Sequence, residues 1–424
     1  MSVSDYIIIG GGISGLFMAY KLSETGKDIL LLESTKRLGG RIYTTHEDGV
    51  QFELGAARIS ENHTKVMALL KELDIDTKKE LVELPTDITY KLKGHDINFY
   101  SLVKDLQTGS KLISKSDREK VNLLQLCIDT LGYETAKLFQ NKLGYDSEFE
   151  LLNGYQAIKT YSKDLFSPCK YYGMTRGLSH ITELLEMKLK DKKNVTIMRN
   201  ITVTDIDKQV VHVGKVKHRG SSIVCCVPYK SIRRMSKFKD LTELNAITPV
   251  PLIRIYAKYP KDKDGKVWFH KLKRTITDNY IRHIIPIDYE TGLIMISYTD
   301  GLYATMWRDL TKYGNKILIE RLHKEVKTVT GLDPPNPDFI THQFWAEGVH
   351  MWKPGFVVNE MYEKLKHPFS NEKIYLVNEA FSQHQGWIEG SLDMCYDVLP
   401  LLDSSFKRNL PQEKGASTQH KPRK

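Results

Sequence analysis

The chain opens with an apolar run, Tyr6–Ile9, and a second, Ile29–Leu32, each reading as a strand. Between them lies Gly10-Gly-Gly-Ile-Ser-Gly15 and then a helix-like stretch. From Ser114 to about Tyr161 the pattern becomes helical, with Val121, Leu123, Leu124, Ile128 and Leu131 at helix spacing and Leu138 and Phe139 following. A helix over Leu178–Lys190 leads to strand-like Val195–Met198, Ile201–Ile206 and Ile223–Pro228, which return to the first unit. Residues 251–298 are strand-rich again, through Leu252–Tyr256, Tyr280–Ile285 and Leu293–Tyr298. A helix is expected from about Thr311 to Thr328, a turn or linker at Pro334-Pro-Asn-Pro337, a strand at Ile374–Val377, and a last helix from near Gly390. The pattern predicts an α/β fold in two interleaved units. Residues 1–60, 176–245 and 346–402 build one, and 61–175 and 246–345 a substrate-side unit of mixed sheet plus helices.

The glycine run gives the first unit its chemistry. Strand, glycine turn, helix and acid-tipped strand form a Rossmann-type dinucleotide site: one glycine allows the turn, one admits a pyrophosphate, and one packs helix on sheet. Glu33 follows Gly15 by 18 residues, placed to accept hydrogen bonds from an adenosine ribose. Gly10, Gly12, Ile13, Ser14, Gly15, Glu33 and Ser34 are the expected contacts.

Composition changes the picture only at its margins. At 424 residues and 41% hydrophobic content the chain can bury a large core. No stretch approaches the roughly 18 apolar residues of a membrane span, and the first strand leaves no room for a signal peptide, so a cytoplasmic protein is expected. Five cysteines without metal-ligand spacing read as reduced core residues, and no metal site is expected. Of the net charge of +10, +4 falls in residues 403–424, a tail read as basic and disordered. No basic motif interleaved with aromatics points to nucleic acid.

Further motifs resemble the flavin-containing amine oxidase superfamily, closest to its L-amino-acid oxidases. Arg37-Leu-Gly-Gly-Arg-Ile42 resembles the second glycine motif, in which Gly40 and Arg41 would contact FAD phosphates. Phe52-Glu-Leu-Gly-Ala-Ala-Arg-Ile59 resembles the next, in which Gly55, Ala56, Ala57 and Arg58 would lie along the flavin and Arg58 would clamp a substrate carboxylate. Val203 falls where the family contacts adenine and Glu379 where an acid lies near the ribityl chain. Gly386, Trp387 and Ile388 match the stretch reaching the isoalloxazine ring. The resemblance implies a glutathione-reductase-like FAD domain and an oxidase turning an L-amino acid into a 2-oxo acid, ammonia and hydrogen peroxide, with molecular oxygen as acceptor and a homodimer as a further expectation. Trp387 would form one wall of an aromatic slot, with Trp352 opposing it or lying in the core.

The departures matter as well. Arg254 stands where the family carries a lysine beside the flavin, and arginine cannot deprotonate. Tyr280 is the available substitute for the second carboxylate contact. No cysteine lies between Asp338 and Gly386, where members of the family with covalent flavin carry theirs, so the resemblance implies noncovalent FAD. Three rivals stay open: a polyamine or primary-amine oxidase using Glu150, Glu347 or Asp393, a non-oxidase flavoprotein such as an isomerase or desaturase, and a weakly catalytic flavin-bound scaffold.

Overall fold

A computed structural model describes residues 2–94, 97–162 and 164–408. The strand Ser2–Ile9 is central to a seven-stranded sheet, with Ile29–Leu32 and Val216–Cys225 as parallel neighbours. Val195–Met198 and Ile374–Leu376 extend it in parallel on either side. All four residues of Ile29–Leu32 are buried, which is why the run is apolar without alternation. The helix Ile13–Ser23 packs between Ser179–Lys190 and Ile388–Leu402, so the two later returns of the chain seal the first sixty residues.

A six-stranded sheet runs Phe339–Trp352, Ile247–Lys258, Leu293–Asp300, His283–Asp288, Arg274–Thr277, Ile88–Lys91. It is antiparallel except for its last pair. Its own core, including Ile253, Ile255, Ile294, Ile296 and Trp307, packs with the helices Gly301–Thr311 and Asn315–Thr330. The helical stretch expected from Ser114 is five short helices between Lys115 and Tyr161.

Several expected elements shift. The helix placed at Thr311–Thr328 runs Asn315–Thr330, starting after Gly314, whose φ of +93° lies outside the helical region, and a separate helix, Gly301–Thr311, precedes it. The strand expected at Ile201–Ile206 begins only at Asp205. The one expected at Tyr280 begins at His283, because Arg282 takes a left-handed φ of +55° at the turn. The last helix starts at Ile388 rather than Gly390. The strand Phe339–Trp352 went unpredicted: it pairs on one side only, and most of its residues are half-buried, which erases the alternation that reveals a strand. The start of the presumed tail is ordered, with Asp403 on Lys27 at 3.0 Å and a 3₁₀ turn over Ser404–Arg408. Its basic end, His420–Lys424, lies outside the described residues.

Candidate active site

Two cavities meet where the sheets face each other. The longer, about 730 Å³, starts at the glycine turn and ends against the six-stranded sheet. Gly10 sits at φ +102°, and a Cβ on Gly15 would stand 1.9 Å from the Gly10 carbonyl oxygen, so helix and turn touch backbone to backbone. Gly12 and Gly40 bring the two glycine loops together, and Arg37 ties the second loop by donating to the carbonyls of Leu38, Gly40 and Ile42. Glu33 accepts from the Gly11 and Thr35 amides at 2.7 and 2.8 Å, which fixes its carboxylate at the cavity wall. Ile13, Ser14, Ser34, Gly40, Gly55, Ala56, Val203 and Ile388 line the same cavity, whereas Ala57 and Arg58 face the smaller one. Gly15 lines neither; its task is the close contact beneath the turn.

Arg41 lines the long cavity but is already engaged. It donates to Glu379 at 2.8 Å, to the Gly348 carbonyl, and to Asn378 Oδ1 at 3.2 Å. Asn378 thus anchors Arg41 while its side-chain amide donates to the Val227 carbonyl. Glu379 also receives His350 Nδ1 at 2.9 Å and the Gly386 amide at 2.7 Å. Burial would raise its carboxyl, yet Arg41 and His350 hold it down to about 2.

That depression has a sign. Stability from Glu379 is fully present above the unfolded value near 4.5 and is lost as pH falls through about 2, roughly 3 kcal/mol in all. Glu379→Gln is therefore expected to flatten the slope of the thermal midpoint against pH in that window, measured by calorimetry beside the parent protein. An unchanged slope would move the acid sensitivity elsewhere.

The smaller cavity, about 100 Å³, is walled by Arg58, Arg254, Tyr145, Tyr298, Trp387, Glu148 and Asp300 among others. Trp387 precedes the helix Ile388–Leu402, and Gly386 before it takes φ +85°. The ring stacked on Trp387 is Tyr171, at 5.9 Å and 12°. The guanidinium of Arg58 lies over both, 4.6 Å from the Tyr171 centroid and 5.3 Å from that of Trp387. Its one hydrogen bond among the described residues is a long one, 3.4 Å, to Tyr145 Oη. Arg254 is held by the Glu53 carbonyl at 3.1 Å and by the face of Tyr298, and it borders both cavities.

Two expected residues stand elsewhere. Trp352 is fully buried, its indole N–H donating to the Ser382 carbonyl at 2.7 Å, and it lines neither cavity; a core position consumed its polar edge. Tyr280 donates to Glu325 at 2.8 Å and stacks on Trp307, again away from both cavities. Of the acids named for a tunnel, Glu347 borders the long cavity but none borders the small one.

The acids that do border it, Glu148 and Asp300, escaped the sequence reading. Asp300 ends a strand that was predicted, so an acid at a strand terminus was the available signal. Tyr145, Glu148 and Tyr171 carried none, beyond the helix stop at Gly144. Burial and the Asp146 carboxylate push Asp300 up to about 6, against the Ser147 N–H. Burial, then Asp300 and Glu379, push Glu148 well above the carboxylate range, with Arg58 pulling the other way.

Behind Trp387, Asp164 faces His384 at 2.7 Å and His63 at 3.5 Å. The spacing suits a metal, but His63 Nδ1 accepts the Ser60 amide and so carries its proton on Nε2, turned toward Asp164. The group backs the slot, with His384 hydrogen-bonded to Asp164 and the His63 ring edge-on to Trp387 at 4.8 Å.

Comparison with known proteins agrees with this arrangement. A family model described as flavin containing amine oxidoreductase matches residues 13–393. Amine oxidase [flavin-containing] A of Canis lupus familiaris is 38% identical over 21% of this chain, and achacin of Lissachatina fulica is 31% identical over 34%. These matches span only 18% and 26% of those two relatives. The solved structure of a putrescine oxidase redesigned in its cofactor binding superposes with a TM-score of 0.74 at 15% identity, covering 95% of this chain and 99% of that one. It shares the fold. No helix of the described residues is long and apolar enough to cross a membrane.

Proposed function

The chain belongs to the flavin-containing amine oxidoreductase family, and from that premise we propose that it oxidises L-α-amino acids, using FAD held noncovalently. Arg58 carries this reading. It is a guanidinium on the wall of the small cavity, backed by two aromatic faces, with no carboxylate paired to it among the described residues. A cation withdrawn from water without an anion is costly, and its fork matches a carboxylate through two parallel hydrogen bonds. A substrate carboxylate supplies the missing partner.

The long cavity fits FAD. Gly12 and Gly40 leave room where side chains would fill the cradle, the helix Ile13–Ser23 offers its amino end, and Glu33 is fixed at the wall to receive a ribose. No cysteine falls between Asp338 and Gly386, in keeping with noncovalent binding. Flavin bound there would supply a two-electron acceptor for the hydride of the substrate Cα–H, with oxygen as the final oxidant, and the imine so formed would hydrolyse to a 2-oxo acid and ammonia. The protein supplies alignment. Arg58 fixes the carboxylate, Tyr171 and Trp387 shield that pair from water, and the amine is left to the Gly386 side of the cavity. Arg254 adds a fixed positive charge and cannot move a proton. Among the described residues no histidine borders the small cavity, and the amine is taken to react in its neutral form, which needs no strong base.

Anaerobic stopped-flow reduction tests the assignment. L-Amino acids are expected to bleach the flavin band at least about 100-fold more efficiently than the same molecules lacking the carboxylate. Bleaching by putrescine or monoamines, with none by amino acids, would overturn it.

A further inference from the structure

Glu148 is an acid of the small cavity to which carboxylate binding gives no task. It stands on the short helix Asp146–Glu150, three residues after the tyrosine that meets Arg58. Among the described residues its side chain makes no hydrogen bond and no ion pair, and its Oε2 is buried without a partner. Its neighbours are already committed. Asp300 accepts the Asp146 and Ser147 amides at 3.2 and 3.0 Å, and Asp146 pairs with Arg282 at 3.1 Å. A buried carboxyl left open on a cavity wall calls for a donor from the ligand.

Resting on the amino-acid reading, we propose that Glu148 is a specificity-determining residue that receives the terminal cation of a basic side chain, so the preferred substrates are L-amino acids ending in an ammonium or guanidinium. Arg58 takes the carboxylate and leaves Glu148 free for the opposite charge. Tyr161 and Leu165, which share the cavity, give a methylene stem apolar walls. A cation arriving there converts an unpaired buried acid into a hydrogen-bonded ion pair, whereas a neutral side chain leaves the acid unpaired. The discrimination therefore comes from the cost of leaving a buried polar group unmatched.

The holoenzyme is tested by anaerobic flavin reduction with L-lysine and L-arginine against L-norleucine and L-leucine. The parent protein is expected to favour the basic substrates on the order of 100-fold in reduction efficiency. Glu148→Gln should abolish that preference, lowering L-lysine about 100-fold while leaving L-norleucine within a few-fold. Equal efficiencies in the parent protein overturn the proposal. So does an equal loss for both classes in the variant, which would make Glu148 a counter-charge for Arg58. If the variant loses flavin or fails to fold, the parent ratio decides alone. Reduction by neutral amino acids without a basic preference sinks this inference only; reduction by amines and by no amino acid sinks the amino-acid reading and this proposal with it.

Discussion

Arg58→Ala is expected to lower the efficiency of flavin reduction by L-amino acids about a thousand-fold, with a far smaller change for amines that have no carboxylate. Truncating one member of a desolvated, hydrogen-bonded charge pair costs roughly 2–5 kcal/mol, and each 1.4 kcal/mol is a factor of ten. Arg58 belongs at the upper end because Tyr171 and Trp387 back it and no protein carboxylate shares its charge among the described residues. Arg58→Lys should recover little: an ammonium is a point charge that neither forms the fork nor stacks as a plane. Single-turnover traces separate binding from reduction, and the loss should fall on both, since the clamp also sets the position of Cα. Equal losses for amino acids and carboxylate-free amines would show that Arg58 supports the slot rather than the substrate.

The second large effect concerns the cofactor. Gly15→Ala should yield protein with little or no flavin, read as the ratio of flavin to protein absorbance after purification. The added Cβ would sit 1.9 Å from the Gly10 carbonyl oxygen, a backbone atom that no rotamer change can move aside. Helix Ile13–Ser23 would have to lift from the turn, pulling its amino end from the cradle and disturbing its packing on Ile388–Leu402. Gly26→Ala is the control. Unlike the helical Gly15 it has a positive φ, +75°, but it has open space around it, so it should cost about 1 kcal/mol in backbone strain and retain flavin. Full flavin content in Gly15→Ala would mean that the turn tolerates a displaced helix.

The amino-terminal unit was legible because its determinants are local. An unbroken apolar strand, a turn that only glycine can make, and an acid at the end of the next strand lie within the first 33 residues, each with a physical cause acting over a few residues. Glu379 and Trp387 were placed by motif, and both border the cavity expected for them. What the motif could not say is that Arg41 is engaged by Glu379 and Asn378.

The substrate end was decided by tertiary structure. Arg58, Glu148, Asp300 and Trp387 line one small cavity, with the Tyr171 ring stacked behind it, yet they come from five distant parts of the chain. No periodicity links such positions, since the sheet and helices that carry them are brought together by tertiary packing and not by nearness in sequence. For the same reason sequence offered Trp352 as the candidate opposite Trp387 and gave no sign of Tyr171. Both stand at strand ends, but Trp352 donates its indole N–H to the Ser382 carbonyl in the core, whereas Tyr171 stacks on Trp387. Local patterning thus determined the dinucleotide cradle and the kind of fold. The sign and placement of charge around the substrate were set by which side chains long-range packing withdrew from water together, and an isolated stretch of sequence carries no record of that.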